Sequence, residues 1–126
     1  MNIINFEDIE NKIIELRNEK VILDSDIAVI YSVETRDINK SVKNNTDKFP
    51  NGYLFELDKT EKNELVENFH RFERLKHSVV TPKAFTEKGL YMLATILKSP
   101  QATQATIAII ETFTKIRSLS QIVKAL

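Results

Sequence analysis

The chain has 126 residues, 42% of them hydrophobic and 29% charged, which suits one domain with its own hydrophobic core. Its 18 basic and 18 acidic residues cancel to a formal net charge of zero, which argues against a protein that coats nucleic acid through charge alone. The absence of cysteine excludes disulfides and thiolate metal sites, and no apolar run reaches the roughly 20 residues of a membrane span.

The first half of the chain mixes helix and strand signals. Apolar side chains recur at near-helical spacing over 6–16, and the β-branched run over 20–23 is typical of a strand. The segment 24–26 offers N-cap side chains, and Thr35 offers another after an interruption at 32–34. In chain order, the predicted elements are a helix over 6–16, a strand over 20–23, helices over 27–31 and from 35 to about 45, and a strand over 53–57.

Two short helices with a tight break between them form a helix-turn-helix arrangement. Ala28 is a small residue at the point where the second helix would cross the first closely. Apolar side chains can bury the two helices against each other, namely Ile27, Tyr31, Val33, Ile38 and Val42. Ser32 stands at the turn, where many such motifs have glycine, so the spacing fits the motif only in part.

The second predicted helix carries polar side chains along one face, at the spacing i, i+3, i+4, i+7 and i+8. They are Arg36, Asn39, Lys40, Lys43 and Asn44. Arginine and lysine suit phosphates or guanine, and asparagine can read adenine in a major groove. The same pattern is also typical of a solvated helix face, and the residues alone leave both interpretations open.

The second half of the chain predicts three further helices. Asp58 and Glu61 fit a capping box for a helix through about residue 69. A polar loop or wing is expected over 70–78, and an edge strand over 79–82, because proline cannot donate to a central ladder. A helix is predicted over 87–98, with Thr86 as its cap and Gly89 permitting close packing. A long C-terminal helix is predicted over about 100–125, with Ser99 and Pro100 as its start.

A second basic cluster follows the capping-box helix. It consists of Arg71, Arg74, Lys76 and Lys83. These side chains would contact a DNA backbone as a wing does, or they are solvated, and the sequence leaves both open. His70 and His77 have no partner at metal-ligand spacing, and the adjacent His77 and Ser78 have no third group to orient them. We therefore expect no metal, no cofactor and no enzymatic activity.

Two separated blocks of sequence resemble a family of phage domains. The first block runs over 21–35 and continues at 38–39, 42–45, 49–50 and 55–57, and the second runs over 84–93 and 108–113. Together they cover about residues 14–119, and they resemble the ORF-six N-terminal domain, a relative of the KilA-N and Bro-N domains of phage antirepressors. The resemblance implies DNA binding, a phage or prophage origin and a part in transcription regulation.

Residues and resemblance together predict a single α+β domain over 1–126, mainly helical, with a helix-turn-helix, two or three short strands and a long C-terminal helix. The predicted function is sequence-specific binding of double-stranded DNA in the cytoplasm, through the major groove and away from any membrane. The expected DNA-binding residues are Thr35, Arg36, Asn39, Lys40, Lys43 and Asn44, with Thr35 capping the helix that presents the others. The alternative, which the zero net charge favours, is an antirepressor that acts by binding a repressor protein.

The C-terminal helix carries two rows of apolar side chains, whereas one row suffices to pack a helix on its own domain. The first row is Ile109, Phe113, Ile116 and Val123, and the second is Leu119, Ile122 and Leu126. The second row predicts a homodimer, through which helix-turn-helix proteins engage two half-sites. Alternatively, the first helix, with Ile9, Ile13 and Ile14, folds back and covers the second row.

Overall fold

The computed structural model describes residues 5–125, which form six α-helices, two 3₁₀ helices and four strands. The α-helices are α1 (Phe6–Glu10), α2 (Asp24–Tyr31), α3 (Thr35–Lys43), α4 (Lys59–Asn68), α5 (Glu87–Ala94) and α6 (Pro100–Ala125). The strands are β1 (Ile14–Leu16), β2 (Glu19–Leu23), β3 (Leu54–Glu56) and β4 (Lys83–Thr86), and the 3₁₀ helices are Thr46–Lys48 and His70–His77. The predicted α+β class is confirmed, and the sheet has one strand more than expected.

The four strands form one antiparallel sheet in the order β1-β2-β4-β3. Successive residues of a strand point to opposite faces, so the sheet contributes to two separate cores. On one face, Ile22 and Phe85 pack with α2, α3, α5 and α6. On the other face, Val21, Leu23 and Ala84 pack with α4 and the 3₁₀ helix His70–His77. Helices therefore cover both faces of the sheet.

The helix predicted over 6–16 is wrong beyond Glu10, where α1 ends. Ile14–Leu16 is instead the first arm of a hairpin and pairs with β2. Arg17 and Asn18 connect the arms with φ angles of 54° and 63°, the positive values of a two-residue type I′ turn. Pairing in the sheet, together with burial of Ile14, outweighs the helical spacing of the apolar side chains.

The edge strand predicted over 79–82 is also wrong. Residues 79–81 are exposed, and the strand begins only at Lys83. β4 lies inside the sheet, paired with both β2 and β3. Pro82 lies just before the strand, where its missing N–H does not interrupt a ladder, and its carbonyl accepts a hydrogen bond from the Leu57 N–H at 3.0 Å.

The loop or wing expected over 70–78 is instead the 3₁₀ helix His70–His77. Phe72 and Leu75 from this helix are buried in the second core, which explains why the segment is ordered despite its polar composition. The helix predicted over 87–98 ends earlier, at Ala94.

The N-caps predicted at Asp58, Thr86 and Ser99 are confirmed. Each side-chain oxygen accepts a hydrogen bond from the backbone N–H three residues later, at 2.8, 3.3 and 3.0 Å respectively. Thr35, in contrast, is not a cap but the first residue of α3, and the cap position belongs to Glu34. The Glu34 N–H donates to the Asp37 carboxylate at 3.1 Å, which ties the first turn of α3 together. The segment 24–26 likewise forms the first turn of α2 and does not cap it.

The long C-terminal helix is confirmed as α6, and none of the helices in residues 5–125 is long and apolar enough to cross a membrane. Ile109 and Phe113 from its first apolar row are buried in the same core as Ile9 of α1. Leu119 and Ile122 from the second row are 51% and 56% exposed. The side chain of Val123, and Leu126 as a whole, lie outside the described residues. Helix α1 thus packs against the first row and leaves these two side chains of the second row open.

Candidate nucleic-acid interface

The connection between α2 and α3 is a tight turn of three residues, 32–34. Ser32 has φ 57° and ψ 43°, the left-handed conformation that glycine usually takes at the end of a helix. The Val33 N–H reaches back to the Ala28 carbonyl at 2.9 Å and closes the turn. Serine at this position therefore does not prevent the sharp change of direction, and α3 packs across α2 with Ala28 only 3% exposed.

Helix α3 is strongly two-sided. Ile38 and Val42 point into the core at 0% and 7% exposure. The predicted basic residues lie on the outside, where the Arg36 side chain is 84% exposed and pairs with Glu34 at 2.6 Å. Lys40 and Lys43 are exposed on the same helix, and Asn44 is exposed directly after its end. The helical spacing correctly identified the outward face.

Asn39 differs from its neighbours because it is half-buried and turned towards α2. Its Nδ2 donates to Oδ2 of Asp24 at 3.2 Å, and its buried Oδ1 has no partner in the described part of the chain. Burial raises the pKa of Asp24, and hydrogen bonds from Asn39 and from the backbone of Ser25 and Lys83 act against that rise. The amide that the sequence assigned to base reading is thus engaged in holding α3 against α2.

The second basic cluster is divided by the fold. Arg71 forms an ion pair with the buried Asp26 at 2.6 Å, and its guanidinium lies 4.0 Å from the centre of the Phe72 ring. Arg74 donates to the Ser25 hydroxyl at 3.0 Å. Both arginines therefore attach the 3₁₀ helix His70–His77 to the first turn of α2, whereas Lys76 is exposed.

A first groove, of about 530 Å³, lies between α3, the start of α2 and residues 74–82. Thr35, Arg36 and Asn39 line it from α3, and Arg74 lines it from the opposite side. Asp24 is the carboxylate of this groove. The tertiary structure thus brings Arg74, from the second basic cluster, to the same groove as the outward face of α3.

A second groove, of about 910 Å³, also borders α3. Its lining contains four basic side chains and one carboxylate, namely Arg36, Lys40, Lys43 and Lys83 against Asp37. The lining thus has a surplus of three positive charges in a chain whose formal net charge is zero, although Glu34, outside the lining, pairs with Arg36. Lys83 joins α3 here because β4 lies next to the strand that leads into α2. Arg71 and Lys76 line neither groove.

The sequence did not identify Ser78 and residues 80–82 as a wall of the first groove. The β-branched residues and the proline of this segment are typical of an edge strand. The one signal for a loop is that apolar and polar residues do not alternate regularly along it. The hydroxyl of Ser78 donates to the Val80 carbonyl at 3.1 Å, so it is not directed at His77. No group of three histidine, aspartate or glutamate side chains in the described chain is arranged to hold a metal ion.

A family model described as the ORF6N domain matches residues 11–96. The matched residues include all four strands and the helices α2 to α5, and they leave out α1 and α6. Comparison with curated proteins and with solved structures finds no match.

Proposed function

The chain belongs to the ORF6N domain family, and we propose that it is a sequence-specific DNA-binding module of the phage antirepressor type. In this proposal α2 and α3 form a helix-turn-helix, and α3 lies in the major groove of double-stranded DNA. The observation that carries the proposal is the positive surplus in the second groove along α3. A local surplus attracts phosphates, while the remainder of the protein, which carries the compensating negative charge, limits binding that ignores sequence.

The side chains along α3 divide between base contacts and phosphate contacts. Arg36 is in the first turn of α3, the end of a recognition helix that reaches base edges, and its guanidinium suits guanine. Lys40, Lys43 and Lys83 line the second groove and suit the phosphate backbone. Asn39 keeps α3 in position through Asp24, so its contribution is the orientation of the helix.

The proposal is tested by measuring duplex binding of a Lys40→Ala/Lys43→Ala variant in a mobility-shift or anisotropy assay. With the three phosphate contacts of Lys40, Lys43 and Lys83, the logarithm of the binding constant should fall with the logarithm of salt concentration at a slope of about −2.7, and at about −0.9 in the variant. A Lys59→Ala/Lys98→Ala variant is the matched control, because it removes the same charge from exposed positions outside both grooves. Equal slopes in all three proteins would contradict the assignment of α3.

A second candidate function is binding of a repressor protein, which the exposed apolar side chains of α6 favour. Ile107, Ile110, Leu119 and Ile122 are between 42% and 56% exposed. In the DNA-binding proposal, the same helix supports a homodimer in which Leu119 and Ile122 of two copies cover each other, so that two α3 helices reach two half-sites. Neither function includes catalysis. Binding of the chain to DNA with the salt dependence given above would favour the first function over the second.

A further inference from the structure

Two exposed valines follow the 3₁₀ helix His70–His77. The Val79 side chain is 99% exposed and that of Val80 is 59% exposed. The short segment that carries them is held by side-chain contacts at its base. The Ser78 hydroxyl donates to the Val80 carbonyl at 3.1 Å, and Nζ of Lys62 donates to the Ser78 carbonyl at 2.9 Å. The valines are therefore presented to the surroundings by a supported backbone.

The position of this segment connects it to α3. Val80 lines the first groove together with Thr35 and Arg36, and Arg74 lies in the same groove. A duplex that seats α3 in its major groove would therefore come against Val80. Val79 does not line the groove, but it precedes Val80 in the chain and is 99% exposed. Arg36 and Arg74 line this groove against the carboxylate of Asp24, so its lining has a net positive charge, which favours an anionic ligand.

We propose that Val79 and Val80 form a second sequence-reading element that contacts thymine 5-methyl groups in the major groove beside α3. The inference rests on the proposed function of the chain. A valine side chain cannot exchange hydrogen bonds with base edges, and the thymine methyl is the apolar group that base pairs present in the major groove. The net positive charge of the first groove favours a polyanion over a protein surface as the ligand beside these valines.

The experiment compares thymine with deoxyuridine, which lacks only the 5-methyl group. Duplexes that bind the intact chain are selected from random sequence, and their thymines are then replaced by deoxyuridine one at a time. Loss of one buried methyl should weaken binding about fourfold, the equivalent of about 0.8 kcal/mol. A Val79→Ser/Val80→Ser variant removes the valine methyl groups and should bind both duplexes with equal affinity. Because both side chains are exposed, its melting temperature should match that of the parent.

Val29→Ser is the matched control, since Val29 is also exposed, at 64%, and lines neither groove. This control should keep the fourfold preference for thymine. The inference is overturned if the parent shows no such preference, or if the Val79→Ser/Val80→Ser variant retains it. A parent chain that selects no duplex at all overturns the proposed function itself, and the inference with it.

Discussion

Replacing Gly89 by alanine should destabilise the protein, although alanine is the better helix former. Gly89 lies in α5, and a Cβ atom built on it would be 1.9 Å from the carbonyl oxygen of Tyr53. Ordinary contacts begin at 3.4 Å, so helix and carbonyl would have to separate by about 1.5 Å. The neighbour is backbone, which cannot rotate away as a flexible side chain would.

The Tyr53 carbonyl is itself part of the connection between α5 and the sheet. It accepts hydrogen bonds from the N–H of Thr86 at 3.1 Å and from the hydroxyl of Thr86 at 3.0 Å, and the hydroxyl shares its hydrogen with the Gly52 carbonyl at 2.8 Å. Displacing it would weaken both bonds, at about 1 kcal/mol each. Overpacking adds about 1–3 kcal/mol, and the helix propensity of alanine returns about 1 kcal/mol. The net loss in the free energy of unfolding is therefore about 2–4 kcal/mol, which corresponds to a melting temperature lower by roughly 10 °C.

Urea denaturation followed by circular dichroism measures this loss directly. Lys88→Ala changes an exposed residue of the same helix and should shift the free energy of unfolding by less than about 0.5 kcal/mol. Gly52→Ala tests backbone conformation alone, because Gly52 has φ 96° and open space around it, so only strain of about 1–2 kcal/mol is expected. A Gly89→Ala variant as stable as the parent would show that α5 does not pack on the Tyr53 backbone.

Two further predictions concern acid stability and self-association. Two nitrogens of Arg17 donate to Glu61, at 2.9 Å each, and hold the pKa of Glu61 below its ordinary 4.5. The ion pair therefore stabilises the fold above that pH, and this stabilisation is lost as the pH falls through the lowered pKa. The Glu61→Gln variant should therefore have a lower free energy of unfolding than the parent at pH 7, and this free energy should fall less on acidification. The Glu64→Gln variant changes an exposed position of α4 and should follow the parent at both pH values. Leu119→Glu/Ile122→Glu should convert a dimer to a monomer in sedimentation equilibrium at tens of micromolar with the helix content unchanged. A parent that is already monomeric there would refute the homodimer.

Local interactions could be predicted because both partners lie within one turn of the chain. The caps at Asp58, Thr86 and Ser99 each involve a backbone N–H only three residues away. The outward face of α3 follows from helical period in the same way, once Ile38 and Val42 occupy the core. The fold class and the family could also be predicted from the sequence, because a family pattern consists of residues at characteristic spacings along the chain.

The remaining features depended on partners that are distant in sequence. Residues 14–16 form a strand because they pair with β2, although their apolar spacing suits a helix equally well. Lys83–Thr86 is an inner strand because β2 and β3 lie on either side of it, and four residues of mixed polarity do not show this.

The candidate site shows the same division between local and distant interactions. The sequence identified Arg36, Lys40 and Lys43 on one face of α3, but only the tertiary structure placed Lys83 beside them and Arg74 across the first groove. It also turned Asn39 inward, where its amide, in addition to the backbone of Ser25 and Lys83, donates to the buried carboxylate of Asp24. Helical period determines which side of α3 faces outward, whereas packing against α2 and β4 determines which charges share that side.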